Sequence, residues 1–175
     1  MASRHAVTIT YLHQSARPAL PQAPHPPLPT AFLKAERPPL HFYRYLYNTV
    51  GGPYKWVTRR LMDDETLSAI IYDPNVHIYV LYAEGVPAGF AEIDARKGDD
   101  AEIRFFGLVP DYTGAGLGRY FLTQLLHAAW DLEPKRVRLE TCTLDHPAAL
   151  PLYQKAGFQA YDQKPGVIEW PFDDA

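Results

Sequence analysis

Between Ile103 and Leu126 the chain reads IRFFGLVPDYTGAGLGRYFLTQLL. A strand-like apolar run ends at Val109-Pro110, and an amphipathic helical pattern begins around Gly114, Gly116 and Gly118. A glycine-rich turn from a strand into a helix start is a ready anion site. Unpaired backbone N–H groups point outward there, and the helix dipole favours negative charge. Glycine admits close backbone approach and positive φ. The ligand implied is one that carries phosphate. A nucleotide-binding module is the lesser reading, because the turn lacks the Lys-Ser/Thr of a P-loop and lacks an acidic ribose ligand about 20 residues on in a βαβ unit. Other reactive side chains narrow the chemistry. Cys142, the only cysteine, would need a histidine partner and an electropositive pocket to act as a nucleophile. His146 is close in sequence, but a cysteine at a strand end between threonines reads as packing. The seven histidines show no HxH or HExxH spacing, so no metal is expected.

The elements that must position these residues follow from periodicity. Ala6 to His13 alternates and is rich in β-branched residues, which predicts a first strand. Ser15 to Pro29 carries Pro18, Pro21, Pro24, Pro26, Pro27 and Pro29. Residues 15–39 are therefore expected as an extended loop, with a proline-motif ligand for a partner as the lesser reading. Leu40 to Val50 reads as an aromatic helix ended by Gly51-Gly52-Pro53. Met62 to Tyr72 reads as a second helix that Asp63 or Asp64 can cap. Strands are expected at Val76–Tyr82, Val86–Ala95 and Ala101–Val109, then a helix over Gly116–Leu132. A strand at Arg136–Thr143 precedes a short helix that starts at Asp145-His146-Pro147 and ends at Gly157. Phe158–Gln163 and Gly166–Trp170 read as a final hairpin. The class is α+β: a mixed, mostly antiparallel sheet of about six to seven strands, flanked by about four helices.

Bulk properties bound the function. A length of 175 residues suits a single domain over 1–175. Net charge is −3, so no electrostatic footprint for nucleic acid is present. The pair Arg59-Arg60 reads as a solvated helix edge. A lone cysteine rules out an internal disulfide framework and suits a cytoplasmic setting. No window approaches the roughly 20 apolar residues of a membrane span.

Two segments carry a family resemblance. Phe106-Gly-Leu-Val-Pro-Asp-Tyr-Thr-Gly-Ala-Gly-Leu-Gly118-Arg119 is similar to the pyrophosphate-binding signature (Arg/Gln)-x-x-Gly-x-(Gly/Ala). His146-Pro-Ala-Ala-Leu-Pro-Leu-Tyr153-Gln-Lys-Ala-Gly157-Phe158 is similar to the helix Asn-x-x-Ala-x-x-x-Tyr-x-x-x-Gly-Phe. Both belong to the GNAT superfamily of acyl-CoA-dependent N-acyltransferases, and the chain from about residue 40 onward resembles its bacterial members in element order. Two positions depart from the pattern: Thr113 stands where the family has Arg or Gln, and His146 stands where it has Asn. His146 could cap through its ring or leave the cap to Asp145.

The resemblance implies an N-acetyltransferase that moves an acetyl group from acetyl-CoA to a primary amine, by direct attack in a ternary complex. It implies no metal. The acceptor would be a small-molecule amine or a peptide; neither nucleic acid nor membrane is expected as a partner, and a homodimer is possible on this layout. The implied CoA contacts are Thr113, Gly114, Ala115, Gly116, Leu117, Gly118, Arg119 and His146, with the backbone N–H of Leu108 or Val109 at the oxyanion. Gly107 would mark a bulge that opens the sheet, or a plain packing position. Tyr153 matches the tyrosine that protonates the leaving thiolate; its competing role is a core aromatic. Glu102 resembles a base of some members, with Glu92, Asp94 and a water chain as rivals. Tyr43, Tyr47, Tyr54 and Trp56 would line the acceptor pocket, by stacking or cation–π contact. A non-catalytic CoA-binding domain on the same fold is the alternative.

Overall fold

The computed structural model describes residues 2–20 and 22–173. Its centre is a seven-stranded sheet in the order β2-β3-β4-β5-β6-β1-β7. The strands are β1 (Ser3–Gln14), β2 (Thr30–Lys34), β3 (Val76–Ala83), β4 (Val86–Asp94), β5 (Asp100–Leu108), β6 (Arg136–Cys142) and β7 (Gln159–Trp170). Every neighbouring pair is antiparallel except β5 and β6. A parallel pair needs a crossover, and α3 (Leu117–Trp130) supplies it. The glycine turn therefore sits at the end of β5, where an α/β unit presents its binding crevice.

Helices pack on both faces. α3 buries Leu117, Phe121, Leu122, Leu125, Leu126 and Ala129 against Ile93, Ala101, Ile103, Val137 and Leu139, and α4 (Ala149–Lys155) adds Tyr153. On the other face, α1 (Leu40–Gly51) buries Tyr43, Leu46, Tyr47 and Val50 against Ile78, Val80 and Phe90. α2 (Asp64–Ile71) adds Leu67 and Ile71. The carboxylate of Asp63 caps α2 by accepting from the Thr66 N–H at 2.7 Å. Among the described residues no helix is long and apolar enough to cross a membrane.

Several expectations change here. The stretch 15–39 is not all loop: Thr30–Lys34 pairs with β3, Phe32 opposite Leu81. No proline falls between Pro29 and Pro38, so these five residues keep their amide donors. Residues 159–170 are one strand rather than a hairpin, paired with β1 from His13↔Gln159 to Ser3↔Trp170. Pro165 does not break it because β7 is an edge, where a missing donor costs no ladder bond.

Arg59-Arg60 is not a solvated edge. The Arg59 guanidinium is 4% exposed and meets Glu92 at 2.6 Å, and the Tyr43 hydroxyl donates to the same carboxylate at 2.7 Å. A buried charge is tolerated because it is paired and hydrogen-bonded. Arg60 lies over the Phe172 ring, 3.8 Å from its centre.

Candidate functional site

Strands β5 and β6 pair only from Asp100↔Arg136 to Ile103↔Leu139. Beyond that point β5 stays with β4 up to Gly89↔Leu108, while β6 stays with β1 up to Ile9↔Cys142. The two strands diverge into a fork, and a cleft of about 620 Å³ opens along it. The cause is a bulge: Ile93 faces Ile103 but Glu92 faces Phe105, so Arg104 is the extra residue. Gly107 does not make the bulge. A Cβ there would stand 2.6 Å from Val50 Cγ1, so Gly107 is a packing glycine that lets α1 approach the sheet.

The fork leaves backbone groups of β5 open. The Val109 N–H is committed to the Ala88 carbonyl at 2.8 Å, which removes it as an oxyanion contact. Amides alternate in direction along a strand, so the N–H groups of Leu108 and Phe106 point the other way, into the fork. At the end of β5, Gly114 and Gly116 have φ of +81° and +77°, and a Cβ on either would meet no atom within 4 Å. Gly116 is the N-cap of α3; no side chain caps it and no acid lies in the first turn. First-turn N–H groups have no carbonyl four residues back, so this helix start is open to an anion. Thr113, Gly114, Gly116, Gly118 and Arg119 all line the cleft. The Thr113 hydroxyl donates to the Pro110 carbonyl at 2.9 Å, which braces the turn rather than facing a ligand. Ala115 is exposed on the turn, and Leu117 is buried in the core below it.

The far wall comes from β6, α4 and the loop between them. The Asp145 carboxylate accepts from the Thr141 hydroxyl at 2.6 Å and the Cys142 N–H at 2.9 Å, tying the loop back to β6. His146 Nδ1 accepts from the Ala148 N–H at 3.0 Å, so its ring does cap the chain just before α4. Tyr153 projects from α4 to the cleft, buried between Phe106 and Phe158. Burial pushes its phenol far above the ordinary range, and the Asp145 charge pushes the same way. Cys142 also lines the cleft, with its thiol raised by burial.

The other sequence-derived residues divide. Tyr47, Tyr54 and Trp56 line the cleft; Tyr43 does not, being fully buried in the Arg59–Glu92 cluster. Burial raises the Tyr47 phenol to about 12. Glu102 lies outside the cleft lining, held by Arg104 and Arg138 at 3.3 Å each. Glu92 is spent on Arg59, and Asp94 on Arg96 at 2.7 Å. Two carboxylates do line the fork: Asp145, already accepting from Thr141 and Cys142, and Glu140, which shares the lining with Arg104 and Phe105. Its alternation with Arg138 and Cys142 along β6 puts it on their face. What the sequence could not convey is that β6 leaves β5 at Leu139, immediately before this glutamate.

Comparison with known proteins agrees with this geometry. The model of the Acetyltransferase (GNAT) family matches residues 29–158. A Bacillus subtilis protein named as a [ribosomal protein bS18]-alanine N-acetyltransferase is 29% identical over 96 residues, 55% of this chain and 62% of that one. The chain thus spans about three fifths of the length of that curated relative. Among solved structures, a GCN5-related N-acetyltransferase from Sphaerobacter thermophilus superposes with a TM-score of 0.65 at 16% identity, over 97% of this chain and 54% of that one. A GNAT-family acetyltransferase from Novosphingobium aromaticivorans gives 0.62 at 14%, over 96% and 66%. These two likenesses bear on the fold. The forked strands, the uncapped helix start and the family match over residues 29–158 lead to one conclusion: the chain belongs to the acetyltransferase (GNAT) family.

Proposed function

We propose that the protein is an acetyl-CoA-dependent N-acetyltransferase acting on a primary amine by direct transfer. The observation that carries this reading is the divergence of β5 and β6 at Ile103/Leu139, directly beside the uncapped start of α3. The helix start receives the pyrophosphate, with Arg119 adding charge. The open amides of Phe106 and Leu108 run along the thioester arm and give the developing oxyanion a donor.

The residues divide the proton work. The acceptor ammonium gives one proton to Glu140, a carboxylate on the cleft wall; Glu102 is tied to two arginines and does not reach it. The neutral amine attacks the thioester carbon, so the C–N bond forms and the C–S bond breaks. Tyr153 gives its proton to the departing sulfur. The second proton on nitrogen returns to the phenolate through water, leaving amide and thiol. The raised Tyr153 phenol stays protonated across the working range, as a donor must. Cys142 takes no part, because burial disfavours its thiolate.

The test is free-thiol release from acetyl-CoA with a panel of amines, for the wild-type protein and Tyr153→Phe. Amine-dependent release is expected, reduced on the order of 100-fold in kcat by the variant. Acetyl-CoA binding with no amine-dependent release would instead favour a non-catalytic domain.

A further inference from the structure

The charges at the fork narrow the acceptor, given the acetyltransferase reading above. A ladder of ion pairs runs along one face of β5 and β6. Asp100 meets Arg136 at 2.6 Å and Arg138 at 3.3 Å; Glu102 meets Arg138 and Arg104 at 3.3 Å each. The ladder begins and ends on a guanidinium, so its two carboxylates leave one positive charge in excess. That excess ends at Arg104, the bulged residue, whose side chain is 35% exposed and lines the cleft. Its contact to Glu102 is long and uses Nη1 alone. Across the fork stands Glu140, exposed and also lining the cleft. Ile103↔Leu139 is the last register pair, so Arg104 and Glu140 are the first residues past it on the two strands. Among the described residues no ion pair joins Glu140 to a cation, Arg104 included.

Arg104 and Glu140 therefore face the same cleft with no ion pair between them. Between them and α1 the wall is aromatic: Tyr47, Trp56 and Phe105 pack within 5.6 Å of one another by ring centre, and Tyr54 follows toward His146. We infer that the acceptor is a free α-amino acid with an apolar or aromatic side chain. Its ammonium meets Glu140, its carboxylate meets Arg104, and its side chain lies on the aromatic wall. Arg104 is then the residue that determines specificity. A guanidinium suits this task because its planar fork matches a carboxylate bidentately. A polycationic amine is disfavoured, since it would bring charge to Arg104 with a single free carboxylate to receive it.

The test compares matched amines at fixed acetyl-CoA: L-phenylalanine, L-phenylalaninamide, phenethylamine, glycine and spermidine. L-Phenylalanine is expected to show the highest kcat/KM, roughly 10- to 100-fold above its amide and above phenethylamine, which lack the carboxylate. Arg104→Gln is expected to collapse that ratio toward one, and Arg104→Lys to restore some of it. A ratio is unaffected by a variant that merely folds less well. Equal or better turnover of phenethylamine, the amide or spermidine would overturn the inference while leaving the acetyltransferase reading intact. A ratio unchanged by Arg104→Gln would overturn the role of Arg104. Absence of both acetyl-CoA binding and thiol release with every amine would overturn the underlying reading itself.

Discussion

Tyr153 and Cys142 both line the cleft, and burial raises the pKa of each. For the phenol this preserves a proton to give; for the thiol it withholds the nucleophile. Two outcomes separate them. Tyr153→Phe should lower kcat with little change in the dissociation constant of acetyl-CoA, measured by calorimetry. Cys142→Ala should keep kcat within about threefold, because a direct transfer has no acyl-enzyme to lose. An inactive Cys142→Ala protein that still binds CoA would contradict direct transfer. Glu140→Gln is expected to lower kcat on the order of 100-fold, read as amine-dependent thiol release at saturating acetyl-CoA. Tyr153 is legible in the sequence because its helix carries a recognisable spacing. Glu140 is not, since a carboxylate among alternating strand residues gives no local sign that its neighbour strand has departed. The burial of Arg59 is hidden for a related reason: its partner Glu92 lies 33 residues away and only the fold joins them.

At the level of elements, the fork depends on two local features, the Arg104 bulge and the approach of α1 to β5. Gly107 makes that approach possible, since a Cβ there would meet Val50 at 2.6 Å. Gly107→Val should destabilise the fold by about 1–3 kcal/mol through overpacking, read as a lower denaturant midpoint. The Arg59–Glu92 pair holds the second helical layer from beneath. Arg59→Met leaves Glu92 buried without its cation and should cost about 3–5 kcal/mol, whereas Arg59→Met with Glu92→Leu should recover much of that loss. The strand-to-helix turn is legible from its glycines. The start of α4 is not: Asp145 and His146 both look available to begin it, and the tertiary bonds of Asp145 to Thr141 and Cys142 send it back to β6.

Over the whole molecule, two apolar layers sandwich one sheet, and each contains buried tyrosines. Burial raises the phenols of Tyr43, Tyr47 and Tyr153, Tyr47 to about 12. Unfolded phenols ionise near 10. A folded pKa above the unfolded one gives stability that is complete below pH about 10 and is lost as pH rises through the folded value. Alkaline unfolding should therefore set in above pH 10, and the tyrosinate absorbance of these three phenols should appear together with the loss of helical dichroism. Titration of these phenols before unfolding would contradict the tight burial of both layers. The α+β class and most elements are legible from periodicity. Strand order is not, because β1 sits between β6 and β7, far from its sequence neighbour β2, and long-range pairing leaves no mark in local pattern. The most direct measurement of the central claim is a calorimetric titration of acetyl-CoA into the wild-type protein and into Gly116→Glu, which sets a carboxylate and a strained φ at the start of α3. Saturable binding by the wild type, lost in a folded variant, is the expected result. Equal affinity in the two proteins, or none in either, would contradict the account.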